Sequence, residues 1–199
     1  MAQLTQQQLK ELSELAEKFK GNDEFTEEFQ QPQQCPFCLI SEGKLPTNKV
    51  YEDENFIGAL DIFPAKVGQI VLFPKAHIKS FKELPQKPAE SFFGVAHKLL
   101  IALKTLFVGV NILVNEGKAS GQRLEHISLN IIPREEGDKV NFYWQPIQAK
   151  DEELKKIKEK IIVLIPREVK ITEQKVIEEK PTDFSQIRIE LEKISRRLP

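Results

Sequence analysis

A chain of 199 residues, 40% hydrophobic and with a formal net charge of −1, has room for one domain of roughly 110–150 residues plus extensions. The near-neutral balance argues against the basic face that nucleic-acid binders carry, and no apolar run reaches the roughly 18 residues of a membrane span. Met1 to Gln8 has neither a basic nor an apolar region of the secretory kind, so the expected compartment is the cytoplasm. There, two cysteines spaced C-x-x-C point to metal or redox chemistry before a structural disulfide.

Thr5 and Gln8 fit a capping box, and Leu9, Leu12, Ala16 and Phe19 recur at helical spacing beside Leu15, predicting a helix over 5–19. Gly21-Asn22-Asp23 ends it, and the Gln/Pro stretch at Gln30 to Gln34 reads as a linker. The division expected is therefore an N-terminal helix and linker over 1–34, a main domain over 35–145 and a helical extension over 146–199. Val50 to Asp53 reads as a short extended segment, Asn55 to Ile62 as an apolar strand, and Gly68 to Pro74 as another, followed directly by Lys75-Ala76-His77. Residues 88–106 predict the main helix. Pro88 suits its first turn, and Phe92, Phe93, Ala96, Leu99, Leu100, Leu103 and Leu106 give it a broad apolar face. His97 on that helix reads as structural rather than as a ligand. Val110 to Val114 is a further strand, and the glycine-containing loop Asn115 to Gln122 leads into the next. Such a loop can present backbone N–H groups to an anion, although two glycines alone specify only a turn. Phe142-Tyr143-Trp144 is expected at a sheet edge, 151–164 as a helix with a solvated mixed-charge face, and 184–198 as a final helix with Ile187, Leu191 and Ile194 on one side.

The most informative stretch is Leu124 to Arg134. Ile127, Leu129 and Ile131 alternate with His126, Ser128 and Asn130, which places an apolar face in the core and a row of polar groups on the other side of a central strand. Cys35, Cys38, His77 and His126 then make a candidate tetrahedral zinc set of two thiolates and two imidazoles, though not at zinc-finger spacing. Two other readings stay open here. A thiol-redox pair wants a strand before and a long helix after the motif, and neither is evident around Cys35-Pro36-Phe37-Cys38. The other is a pair of unliganded cysteines.

Cys35-Pro36-Phe37-Cys38, Val50-Tyr51-Glu52-Asp53, Leu60-Asp61-Ile62, Phe73-Pro74-Lys75-Ala76-His77, Asn115-Glu116-Gly117, Gly121-Gln122 and Ile131-Ile132-Pro133-Arg134 resemble, in order and spacing, the histidine-triad (HIT) nucleotide-binding family. The resemblance implies an α+β fold, with a mostly antiparallel sheet flanked by the long helix at 88–106, and a homodimer formed through that helix and its adjoining strand. It implies a pocket for a purine or pyrimidine nucleoside monophosphate, or a small molecule containing one. Phe37, Ile40 and Ile62 would line the base and sugar, Asp61 would bind ribose hydroxyls, and Asn115, Gly121 and Gln122 would hold the phosphate. Zinc-bearing relatives use ligands that match Cys35, Cys38, His77 and His126, making the zinc structural.

The family line is His-x-His-x-His; here it is His126-Ile127-Ser128-Leu129-Asn130. In active members the middle histidine attacks the phosphate, because imidazole titrates near neutrality and both attacks and departs easily. Ser128 stands there with no evident base: His126 is committed if it binds zinc, and Asn130 takes no proton. Loss of a nucleophile costs on the order of 10⁶ in rate, while Asn130 can still donate a hydrogen bond to phosphate. The favoured expectation is a zinc-stabilised nucleotide-binding pseudoenzyme. Two alternatives stand beside it. One is a hydrolase or transferase of nucleoside phosphoramidates or dinucleoside polyphosphates with another nucleophile, Lys118, Arg123 and Arg134 being the candidate cations for phosphate charge. The other is an interaction scaffold that binds no nucleotide.

Overall fold

The structure is a computed structural model, and it describes residues 35–165. The helices expected over 5–19 and 184–198, and the Gln/Pro linker, lie outside the described residues. The described residues divide into two compact units, parting between Tyr143 and Trp144.

In the first unit a short helix α1 (Pro36–Ser41) precedes β1 (Lys49–Glu52), β2 (Phe56–Leu60) and β3 (Ile70–Pro74). The long helix α2 (Gln86–Leu106), β4 (Gly109–Val114) and β5 (Leu129–Arg134) follow. The five strands form one sheet in the order β1-β2-β3-β5-β4, antiparallel at every pairing. This is the α+β architecture expected. β3, not β5, is the central strand, and β5 lies between β3 and β4.

Alternation along the strands sends side chains to two separate cores. Phe56, Leu60, Ile70, Leu72, Leu129 and Ile131 belong to the face under α2. Ile57, Ala59, Val71 and Phe73 belong to the opposite face, with Phe37 and Ile40 of α1. A sheet covered on both faces needs strands that are apolar at nearly every position, and β2 and β3 are buried or half-buried throughout. On α2 the buried residues are Phe92, Val95, Ala96, Leu99 and Leu103, a stripe at i, i+3/i+4, i+7. The face is narrower than expected: Phe93 and Leu106 are exposed, as is His97, which lies on the solvent side. Pro88 sits in the first turn of α2, where its missing N–H has no intrahelical partner to lose. Gly58 lets α2 approach the sheet; a Cβ there would lie 3.2 Å from Leu99 Cδ1 and from Tyr51 Cβ.

Two expectations are corrected. The ladder of β5 begins at Leu129 rather than at Leu124, so His126 and Ser128 precede it. Their segment is tied by the Ile127 N–H donating to the Ile78 carbonyl, 2.8 Å. No strand forms over Phe142, Tyr143 and Trp144. The sheet edges are β1 and β4, and the Tyr143 N–H is taken by the Asn141 side chain at 2.8 Å instead of by a ladder.

In the second unit α3 spans Asp151–Leu164, over the expected residues. Asp151, Glu152 and Glu153 fill its first turn, where the helix dipole favours negative charge. Among the described residues no helix is long and apolar enough to cross a membrane.

Candidate metal centre and ligand cavity

Three chain segments converge at the start of β5. Cys35 caps α1, Pro36 occupies its first position, where proline is pre-organised, and Cys38 follows one turn later. His77 comes just after β3, and His126 just before β5. One donor atom from each of Cys35, Cys38, His77 and His126 can be chosen so that all four lie within 4.8 Å of one another. Cys35 Sγ is 3.3 Å from His126 Nδ1, Cys38 Sγ is 3.2 Å from His77 Nδ1, and Cys38 Sγ is 3.7 Å from His126 Nδ1. A tetrahedral zinc with bonds of about 2.3 Å to sulfur and about 2.0–2.1 Å to nitrogen spaces its donors by roughly 3.3–3.8 Å.

The surroundings fit a cation. His126 is 1% exposed, and its Nε2 lies 2.9 Å from the Pro74 carbonyl. Only a protonated Nε2 satisfies that carbonyl, which leaves the Nδ1 lone pair facing the sulfurs, the arrangement metal-bound histidines use. His77 Nε2 is buried without a hydrogen-bond partner among the described residues. Burial pulls His126 down to about 4 and also lowers His77. Burial, then the neighbouring Cys35, pushes the Cys38 thiol up to about 12. Without a metal the Cys38 thiol and the two imidazoles are therefore neutral at pH 7. A divalent cation reverses that preference at sulfur, because a coordinating thiol is deprotonated outright. Two thiolates and two neutral imidazoles in a buried, closed cluster suit Zn²⁺.

Beside the cluster lies a cavity of about 580 Å³. Its walls include all nine residues assigned to the pocket from sequence: Phe37 and Ile40 from α1, Asp61 and Ile62 after β2, Asn115, Gly121 and Gln122 from the β4–β5 loop, and Ser128 and Asn130. His126 lines it as well, so one imidazole borders both cavity and metal cluster. Phe37, Ile40 and Ile62 make an apolar part. Phe37 is held flat against Phe73, with centroids 4.3 Å apart and planes at 13°. Among the described residues Ser128 has no hydrogen-bond partner, and no side chain is placed to take its proton.

A residue that the sequence reading passed over organises the polar part. Gln69 is buried; its Nε2 donates to Asp61 Oδ2 at 2.9 Å and to Asn130 Oδ1 at 3.0 Å, and its Oε1 accepts from the Ala65 N–H at 2.8 Å. Engaging the Asn130 carbonyl oxygen leaves the Asn130 NH₂ to donate into the cavity. Asp61 accepts one hydrogen bond at each oxygen, the other from the Phe63 N–H at 2.8 Å, and each oxygen retains a lone pair. The available signal was a single polar residue opening the apolar run Gln69-Ile70-Val71-Leu72-Phe73.

Gln122, expected to help hold the phosphate, lines the cavity with its side-chain amide engaged in the loop. Its Nε2 donates to the carbonyls of Lys79 and Leu124, each at 3.0 Å, and its Oε1 accepts from the Gly117 N–H at 2.6 Å. Both amide hydrogens are used, so Gln122 shapes the loop. Asn115 Nδ2 reaches the Gly121 carbonyl at 3.3 Å, and Gly117 and Gly121 have φ of +83° and +87°, a region glycine enters without strain. Of the three candidate cations, Arg123 lines the cavity and Lys118 lines a smaller one beside it. Arg134 is spent elsewhere. It donates to both oxygens of Asp138 at 2.7 and 2.8 Å and to Asn111 Oδ1 at 2.6 Å, and it holds the Asp138 carboxyl well below the usual carboxylate range.

This sheet, with a Cys/His cluster and a cavity at one end of β5, is that of a histidine-triad protein. Residues 42–137 match the HIT domain family model. A HIT-like protein of Methanocaldococcus jannaschii is 40% identical over 127 residues, which are 62% of this chain and 98% of that one. The chain belongs to the HIT family. Among solved structures, a zinc-bound histidine triad family protein of Mycobacterium smegmatis has a TM-score of 0.53 and 35% identity, over 59% of this chain and 86% of that one. A histidine triad nucleotide-binding protein of Candida albicans has a TM-score of 0.59 and 26% identity, over 65% and 95% of the two chains.

Proposed function

We propose that this chain holds a structural zinc ion at Cys35, Cys38, His77 and His126 and binds a purine or pyrimidine nucleoside monophosphate, or a small molecule containing one, in the adjoining cavity, with little or no nucleotidyl transfer. The observation that carries this is one 580 Å³ cavity with complementary ends. Phe37, Ile40 and Ile62 offer an apolar slot for a base. Asp61 offers carboxylate lone pairs for ribose hydroxyls. The Asn130 NH₂, oriented by Gln69, points a donor where a phosphate oxygen would sit. Zinc, when bound, ties α1 to the entry of β5 and contributes its binding energy to folding. Position 128 is the catalytic gap: a serine hydroxyl without a base is a poor nucleophile at neutral pH. The relatives described as zinc-bound and as nucleotide-binding support the two halves of the reading.

We also propose a homodimer through α2 and β4. Among the described residues β4 is an edge strand whose outer ladder side is open, and Ile112, Val114, Val108 and Phe93 are exposed.

The test is calorimetric titration with AMP, GMP and UMP, with zinc content measured on the same sample. Micromolar binding of at least one nucleotide, with about one zinc per chain and no turnover of nucleoside phosphoramidates, is the expected result. Turnover at an enzymic rate would overturn the assignment as a pseudoenzyme. Absence of binding in a zinc-loaded sample would overturn the nucleotide site.

A further inference from the structure

Next to the main cavity lies a second of about 180 Å³, lined by Lys79, Gly117, Lys118, Gln122, Arg123, Leu124 and Glu125. Gln122, Arg123 and Leu124 line both. The partition is built rather than incidental. The three hydrogen bonds of Gln122 join the Gly117 N–H on one side of the loop to the carbonyls of Lys79 and Leu124 on the other. The charge is uneven. Lys79 is paired with Glu125 at 2.7 Å, whereas Lys118 and Arg123 have no carboxylate partner among the described residues. Among the lining residues, three cations against one carboxylate leave two surplus positive charges on the walls of a cavity with room for a phosphate. A terminal phosphate carries about −1.5 to −2 at pH 7, and the match in magnitude and sign is close.

We infer that the small cavity is an anion subsite for the distal phosphate of a nucleotide whose proximal phosphate lies at Asn130, so that nucleoside diphosphates are preferred over monophosphates. The inference rests on the nucleotide reading of the main cavity. Arg123 borders both cavities and would bridge the two phosphates through its planar fork of donors. Lys118 would meet only the distal one, as a point charge. Lys118 lines the small cavity and not the main one, and the loop that carries it turns at Gly117 and Gly121.

The experiment titrates the full-length, zinc-loaded protein with AMP, with ADP, and with inorganic phosphate in the presence of saturating AMP. ADP should bind about five- to ten-fold more tightly than AMP at low salt, the gain expected of one or two charge-assisted contacts. The advantage should shrink as added salt screens the exposed cations. In Lys118→Glu, an exposed substitution, the ADP-to-AMP affinity ratio should fall to about one or below, with AMP in the same protein as internal reference. Equal affinities in the unmodified chain, or a ratio that survives Lys118→Glu, would overturn the subsite and leave the nucleotide site standing. Inorganic phosphate joining AMP while ADP binds no better would assign the cavity to a free anion and overturn the proposal. Failure of both nucleotides to bind would remove the nucleotide reading and this inference together.

Discussion

Ser128 faces the cavity with a hydroxyl whose proton no neighbour takes, while two residues away His126 is turned by the Pro74 carbonyl toward a pair of sulfurs. Under the proposed function, chemistry rather than space separates this site from a nucleotidyl-transfer centre. Ser128→His places an imidazole on the cavity wall, and phosphoramidate turnover should rise by on the order of 10² or more. A rate assay on the purified variant checks it, and no gain would locate the defect at Asn130 instead. The same cluster predicts a pH profile for the metal-free protein. Burial holds His126 at about 4 against an ordinary 6.5. The unfolded chain therefore takes up a proton that the fold refuses, and stability falls as pH drops from 6.5 toward 4. Cys38 is raised from 9.0 to about 12. Here the unfolded chain releases a proton that the fold keeps, and stability falls as pH rises above 9.0. Urea unfolding of the chelated protein should thus peak between 6.5 and 9.0, and zinc should remove the alkaline limb. Cys35, Cys38, His77 and His126 were legible in the sequence because the chain has only two cysteines and three histidines, the residue types a zinc site draws on first. Gln69 was not. Its role exists only because Asp61 and Asn130, the latter 61 positions away, meet at one amide.

Helix α1 has only six residues, too few to hold itself together in water. Its support is the packing of Phe37 and Ile40 on Ile57, Ala59 and Phe73 and, under the proposed function, the metal at its N-terminus. Cys35→Ser should abolish zinc retention and lower the thermal midpoint, with the largest gain in hydrogen exchange confined to 35–45 and 75–78. Uniform exchange gains across the sheet would contradict this division. On the other face, Leu99→Ala should cost about 2–5 kcal/mol in denaturant unfolding, since a buried leucine leaves a cavity between α2 and the sheet. The elements themselves were largely legible: β1 to β4, α2 and α3 fall within a few residues of the sequence expectation, because apolar spacing and proline or glycine boundaries are local signals. The misses were questions of partnership. Phe142-Tyr143-Trp144 has strand-forming side chains but no strand to join, and His126 and Ser128 alternate correctly yet lie ahead of any ladder. A lone segment does not disclose what lies beside it.

At the scale of the whole molecule, the sheet of the described residues ends on one side at β4 with its outer ladder side unpaired among them, an edge that proteins usually cover or pair. Sedimentation should report a dimer, and Ile112→Asp, placing a charge on that half-exposed edge, should yield a folded monomer. A monomeric native protein would discard the α2/β4 interface. His126 has a wider consequence. One ring borders the metal cluster and the cavity at once, so two occupants that both depend on it would not be thermodynamically independent. By reciprocity of coupling free energies, whatever factor zinc adds to nucleotide affinity, the nucleotide must add to zinc affinity. Where that factor is favourable, a cell short of zinc would hold a protein short of nucleotide, and a protein charged with nucleotide would bind its metal more tightly.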